Sequence, residues 1–324
     1  DEPTVPTEKA PDGRPIYDQK EVRGYHAGLY NVCCGDREVF SASLSKGFRD
    51  GDTFVTLAYT AQDHQNRSDM TSSTSNSNFG KTGAVDFNNR IKNRSTYETE
   101  HSLLMTLTSK HYFFGANAPT TFSLVFSRES GNVKYPTFDT YTSRVSDYKS
   151  KAFGYEFNLN DDSSSLLYIP TVNDPLVCYS YKCLSEGSAE AAERQEEVIN
   201  FLYNVWGLKD YAGKIAPRDA GNFPWQSSLD LNIVQEIPGF REGDSFVLTF
   251  ALENLLNFID DDKGIIRYGY YSGRVPVIDL RIVDNERYDY SRNAFRYSFD
   301  DPFNIDRSTT QSLWRASLGI QYKF

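Results

Sequence analysis

In the last thirteen residues, SLWRASLGIQYKF, the alternation is unbroken from Trp314 onward. Trp314, Ala316, Leu318, Ile320 and Tyr322 hold one phase, Arg315, Ser317, Gly319, Gln321 and Lys323 the other, and Phe324 follows. Successive side chains of a strand point to opposite faces, so this segment is one strand with an oily face and a wet face. The same pattern recurs in pairs. Phe40, Ala42 and Leu44 of REVFSASLSK are followed, after a short polar turn, by Val55, Leu57 and Tyr59 of TFVTLAYT. Leu103, Met105 and Leu107 precede Phe122, Leu124 and Phe126, and Leu229, Leu231 and Ile233 precede Phe246, Leu248, Phe250 and Leu252. These are three hairpins. Two weaker strands are expected in VPVIDLRIV (Ile278, Leu280, Ile282) and YDYSRNAFRYSF (Phe295, Tyr297, Phe299), giving about nine strands that share one sheet.

A half-buried strand in water and a membrane-spanning strand alternate alike, so the links have to discriminate. Turns inside the hairpins are short, whereas the links at about 61–98 and 131–226 are long, polar and rich in Ser, Asn, Asp and Tyr. Outer-membrane barrels segregate short turns to one side and long loops to the other. Aromatic residues make up 15% of the chain, which suits the girdles such barrels carry at both interfaces. No apolar run approaches the length of a membrane helix. The expected fold class is therefore all-β, a transmembrane antiparallel β-barrel with long outer loops. Residues 1–36 form an outer loop and barrel entry, and 37–324 the C-terminal portion of the barrel. Within the longest loop, SEGSAEAAERQEEVINFLYNVWGLKD spaces Val198, Phe201, Leu202 and Val205 at helical intervals and predicts a helix ending at Gly207.

The chain shows little chemistry. Its net charge of −10, without an isolated Lys/Arg block, argues against nucleic acid. His26, His64, His101 and His111 have no metal-ligand spacing, and neither a nucleophile elbow nor a phosphate loop is present. The string SLSK at Ser43 to Lys46 puts its two reactive groups on opposite strand faces. The chain is read as a non-enzyme without a resident cofactor. Clustered carboxylates in the loops, above all Asp260, Asp261 and Asp262, could hold calcium, a hard cation that takes six to eight oxygens. Solvated charge that keeps loops soluble is the commoner explanation of such clusters. Of the four cysteines, Cys178 and Cys183 are expected to form a local disulfide, while Cys33 and Cys34 either bridge each other or cross to that pair. DEPTVPTEKAPDGRPIYD, at the start, has neither a basic region nor an apolar run, so no signal peptide is visible.

Several strings together resemble TonB-dependent outer-membrane receptors, and within them the Oar-like group: KIAPRDAGNFPWQSSLDLNIVQEIPGF, ALENLLNFIDDDKG, SASLSKGF with TLAYTAQD, STSNSNFG, YETEHSLL and the terminal SLWRASLGIQYKF. The resemblance covers nearly the whole chain. It implies a barrel of about 22 strands with a plugged lumen, a place in the bacterial outer membrane, and contact with its lipid. It also implies energy from the TonB complex and uptake or export of a large or scarce ligand. In such proteins the terminal aromatic is an assembly signal, a role that falls here on Phe324. Plug, TonB box and the remaining barrel wall are expected from the N-terminal part of the same gene product, because an odd-numbered sheet starting in an outer loop cannot close by itself. Two alternatives stand beside this one: an outer-membrane adhesion or binding protein anchored by its barrel, and a soluble secreted β-protein.

Overall fold

A computed structural model of the chain describes residues 8–9, 12–16, 31, 33–70, 72–75, 78, 82–86, 88–139, 165–179, 187–218, 220–268, 274–281, 295–298 and 306–324. The long alternating segments become long strands: β1 (Asp36–Phe48), β2 (Thr53–Asn66), β3 (His101–His111), β4 (Thr120–Glu129), β6 (Gln226–Pro238), β7 (Ser245–Glu253) and β10 (Arg315–Lys323). They lie side by side in the order β10-β7-β6-β4-β3-β2-β1, every pair antiparallel, and the two-residue strand Asn93–Arg94 adds to the end of β2. The three expected hairpins are all present.

Register decides which side chains share a face. Leu44 lies opposite Leu57, Leu57 opposite Met105, Met105 opposite Phe126, and Phe126 opposite Leu229. A second row runs Leu107, Leu124, Leu231, Leu252 and Ala316, and a third Phe122, Ile233, Phe250 and Leu318. Directly opposed residues project to the same side, so all seven apolar phases merge into one face. The other face carries rows such as Ser41, Thr60, Ser102, Glu129 and Gln226. Its hydroxyls bond across strands, as Ser41 with Thr60, Ser45 with Thr56 and Ser127 with Ser228.

The apolar face has no second layer among the described residues. On inner strands Leu57 is 44% and Phe250 37% exposed, and on the edge strands Leu44 is 71% and Leu318 81%, with Leu252 at the long-link end buried, although a sheet in water buries its apolar face against another layer. Large contiguous apolar surfaces mark sites where a protein meets another protein or a membrane. The buried core lies elsewhere, in the link between β4 and β6.

Two expected strands leave the wall. VPVIDLRIV yields β8 (Arg274–Arg281) and the following segment β9 (Phe295–Ser298), but these belong to a separate five-stranded sheet with β5 (Val133–Asp139) and the short strands Val177–Cys178 and Gly221–Asn222. There β8 pairs in parallel with β5 and antiparallel with β9. Ile282 and Phe299 lie outside the described residues. The reason is occupancy: β7 pairs with β10 from Ser245–Lys323 to Glu253–Arg315, which leaves no free ladder between them. Alternation forecasts a strand, not its neighbour. Among the described residues the expected nine-strand wall is a wall of seven long strands, and these residues are mostly antiparallel β-sheet with few helices. No helix of the described residues is long and apolar enough to cross a membrane, which says nothing of crossing by strands.

With β8 and β9 outside the wall, the links become more asymmetric. Residues 49–52, 112–119 and 239–244 make the turns at one end, and 67–100, 130–225 and 254–314 make the links at the other. The sheet's edges are β1 and β10, and neither has a further strand on its outer side among the described residues.

Candidate functional site

The long links form the site-bearing end of the molecule. In the link after β4, α1 (Ala189–Asn200) starts at Ser188, whose Oγ accepts from the Ala191 N–H at 3.2 Å. The helix continues as one wider turn over Phe201–Val205 and stops at Gly207, whose φ of +72° suits a glycine C-cap. Val198, Phe201 and Leu202 are buried with Leu167, Ile169, Tyr179, Trp206 and Leu208, while Val205, the fourth residue of the expected stripe, is exposed. A link with its own core is a small folded unit rather than a loose loop. It leaves and rejoins the wall through a close crossing, where a Cβ on Gly131 would stand 2.1 Å from the Phe223 carbonyl oxygen.

Asp174 organises this unit. Its Oδ2 accepts from the Tyr168 hydroxyl at 2.9 Å, the Thr171 N–H at 2.9 Å and the Thr171 hydroxyl at 3.2 Å, and its Oδ1 from the Leu176 N–H at 2.9 Å. Burial, and then the bond and charge of Asp174, push the Tyr168 phenol well above its ordinary value of 10.0. Burial, followed by the Asp174 charge, raises Tyr203 as well. Groups raised in the folded state hold their protons longer than in the unfolded chain, so their contribution is complete below pH 10.0 and is lost as pH climbs above it toward the folded values. The loop unit should therefore lose near-ultraviolet dichroism as pH rises past that point, less steeply in Tyr168→Phe. Tyrosinate absorbance growing in with the dichroism unchanged would contradict this.

Two polar clusters tie the links together. Arg94 donates to Glu98 at 2.6 Å, Glu100 at 2.9 Å and Asn222 at 2.7 Å, and Asn222 donates to Glu100 at 3.2 Å. Arg218 and Asp69, both buried, form an ion pair at 3.4 Å, with the second guanidinium nitrogen on the Asn66 carbonyl at 2.9 Å. Asp69 also accepts from Ser95 at 2.7 Å and from the Thr96 N–H at 3.2 Å. Residues 66–69 and 94–100 are thereby tied to Arg218 and Asn222. Near the start of the chain, Arg14 donates to the Leu166 carbonyl at 2.8 Å, so that segment rests on the same unit.

Beside these clusters opens a polar cleft of about 380 Å³, lined among others by Gln62, Gln65, Lys92, Asn93, Arg94 and Glu100. Charges along it are largely paired, Arg94 as above and Lys92 with Asp36. Its amides are engaged as well: Gln62 accepts from Arg37 and donates to the Thr99 carbonyl at 2.7 Å, Asn93 accepts from the Arg94 N–H at 3.0 Å, and Gln65 donates to the lining carboxylate Asp63 at 3.2 Å. Such a lining can bind a neutral or zwitterionic polar ligand, and nothing in it resembles a nucleophile with its base.

The expected site residues fall as follows. Asp260, Asp261 and Asp262 form a turn after the short helix Leu255–Ile259. Asp260 accepts from the Asp262 N–H at 3.0 Å and pairs with Lys263 at 3.2 Å, and these two contacts, the backbone N–H first, hold its carboxyl below the ordinary range. Asn257 donates to the carbonyls of Asp261 and Lys263, both at 3.1 Å. Among the described residues no three His, Cys, Asp or Glu are grouped to hold a metal ion. Cys33 and Cys34 are bonded to each other. Cys178 is disulfide-bonded, and its expected partner Cys183 lies outside the described residues. Phe324 ends the sheet fully exposed, its ring 6.3 Å from Tyr322.

Rings collect at both ends of the apolar face. At the short-turn end His111 stacks on Phe113 at 5.2 Å, Phe240 meets Phe246 at 5.3 Å, and Phe246 meets Tyr322 at 4.7 Å. At the long-link end Tyr59 stacks on His101 at 6.0 Å, His101 on Trp225 at 5.9 Å, and Phe258 meets Trp314 edge-on at 5.1 Å. Sequence reading had no means of joining Asp69 to Arg218 or Arg94 to Asn222, because pairing between residues so far apart leaves no periodicity. No protein-family model, no curated protein and no solved structure matches this chain.

Proposed function

We propose that the chain forms the C-terminal part of the wall of a TonB-dependent outer-membrane transporter, with the long links outside the cell as its ligand-binding face. The observation that carries this reading is the uncovered apolar face, aliphatic in the middle and ringed by aromatics at both ends. From His101 to His111 a strand rises about 34 Å, and tilted by about 40° it spans about 26 Å, close to the height of the lipid-facing band of such barrels. Short turns then face the periplasm and long links the exterior. The open edges β1 and β10 would leave backbone donors and acceptors in hydrocarbon. Further strands therefore complete the barrel, drawn from the remainder of the same gene product, which also supplies the plug.

The polar cleft and the loop unit make up the part of the ligand path that this chain contributes. The independent core of that unit supports a second reading, a surface binder for which the wall is only an anchor. Ligand gained by intact cells only when the TonB complex is active belongs to the first reading, and ligand retained at the surface regardless belongs to the second. The wall itself is tested by fractionation. The full-length protein should stay with alkali-washed outer membranes and migrate differently on a denaturing gel before and after heating. Removing Phe324, which loses almost no packing, should lower the assembled fraction far more than total synthesis. Recovery in the soluble fraction would refute the wall.

A further inference from the structure

Arg128 is the exposed cation that breaks the apolar phase of β4. Its partners in the sheet are Leu103 on β3 and Ser227 on β6, so it belongs to the row that contains Tyr59 and faces the same side as the aliphatic band. One step farther along the strands, toward the long links, stand His101 and Trp225. The Arg128 guanidinium lies over the Trp225 ring at 5.3 Å, Trp225 stacks on His101 with an interplanar angle of 5°, and the Tyr59 hydroxyl meets His101 Nδ1 at 2.8 Å. No carboxylate of the described residues lies within ion-pair distance of Arg128. Glu129, its chain neighbour, projects from the other face and accepts from Ser102 at 3.4 Å, and Glu100 is held by Arg94 and Asn222 and stands 3.6 Å from His101.

We propose that this stack is a binding site for a phosphorylated lipid headgroup of the leaflet on the long-link side. The inference rests on the wall reading, and it adds a ligand to the outward surface of that wall. A long cationic side chain at the edge of an apolar band keeps its stem in the band and its charge in the headgroup layer. Guanidinium is the group that takes phosphate bidentately, and stacking on an aromatic ring fixes its plane beforehand. The rings beneath it, Trp225 and His101, are stacked on each other and on Tyr59, so they hold the guanidinium plane and leave its outward N–H groups for the phosphate. Among the described residues Arg128 has no carboxylate of its own to pair with, which leaves its charge for a phosphate, while Glu100 stands at the His101 end of the stack. Lys46, the outward cation near the short turns, sits 5.1 Å over Phe48 and has no comparable set of rings, so it serves as a control.

The test uses the full-length protein in a zwitterionic detergent, titrated with phosphorylated lipid A, with its dephosphorylated form and with inorganic phosphate, and read by native mass spectrometry. The phosphorylated lipid should be retained, and Arg128→Ala should weaken it about fivefold, the share of one basic residue at an anionic lipid surface. Trp225→Ala should weaken it as well, and Lys46→Ala should leave it unchanged. Equal retention of the dephosphorylated lipid, competition by inorganic phosphate at equal concentration, or unchanged retention by Arg128→Ala would each overturn the site. Failure of the protein to enter bilayers at all would instead bring down the wall reading, and the two failures are separately visible.

Discussion

Leu107→Arg should lower the folded stability of the membrane-embedded sheet by about 2–4 kcal/mol, the range for an arginine facing lipid at the bilayer midplane. Leu107 stands opposite Val55 and Leu124 on the apolar face, midway between the ring-bearing positions His101 and His111 of the same strand. The neighbouring Thr108→Arg points to the other face, beside Ser123, and should fall within the usual surface range of about 0.5 kcal/mol. His111→Arg, at the ring of aromatics, should cost no more than about 1 kcal/mol, because the penalty fades toward the interface. The fraction of protein that resists unfolding in a denaturing gel without heating, followed against urea in defined bilayers, gives all three values. A penalty that does not grade with depth would mean that protein, not lipid, covers this face.

The second large effect belongs to the loops. Asp69→Ala should destabilise the loop assembly by about 3–5 kcal/mol, since it strands the buried Arg218 guanidinium without its counter-charge. Asp69 also receives Ser95, Thr96 and Asn66, so three further donors lose their acceptor. The damage should be local. Residues 67–100 and 130–225 should become susceptible to added protease, while the seven-stranded wall keeps its heat-dependent migration. Replacing both partners, Asp69→Ala with Arg218→Met, should restore part of the loss, because an apolar pair leaves no buried charge behind. Wall and loops collapsing together in Asp69→Ala would show that the loop unit is required for the wall, contrary to its separate core.

The segments that were legible in the sequence share one property: one phase that stays apolar at every second position over several residues, with only single apolar intrusions such as Val39, Leu104 and Val234 in the other phase. REVFSASLSK, HSLLMTLTSK, SLDLNIVQE and the terminal RASLGIQYK each became a wall strand, and each hairpin partner followed from a short polar turn. The helix was legible for the analogous reason, with Val198, Phe201 and Leu202 at helical spacing and Gly207 at its end. VPVIDLRIV shows the limit. Its alternation gave a strand over Arg274–Arg281, but its place beside β5 came from long-range pairing, after β10 had filled the ladder of β7.

The sequence by itself therefore determined local conformation and the two-faced character of each long strand, because both arise from neighbours within a few positions along the chain. Which strands adjoin, and so whether the separate apolar phases add up to one continuous face, was decided only by the tertiary structure. So were the clusters of Arg94 with Asn222 and of Asp69 with Arg218, and the stack of Tyr59, His101, Trp225 and Arg128. The physical reason is that a directional hydrogen bond or ring contact needs only that two groups meet in space. It sets no requirement on the residues between them, and so writes no pattern into the chain.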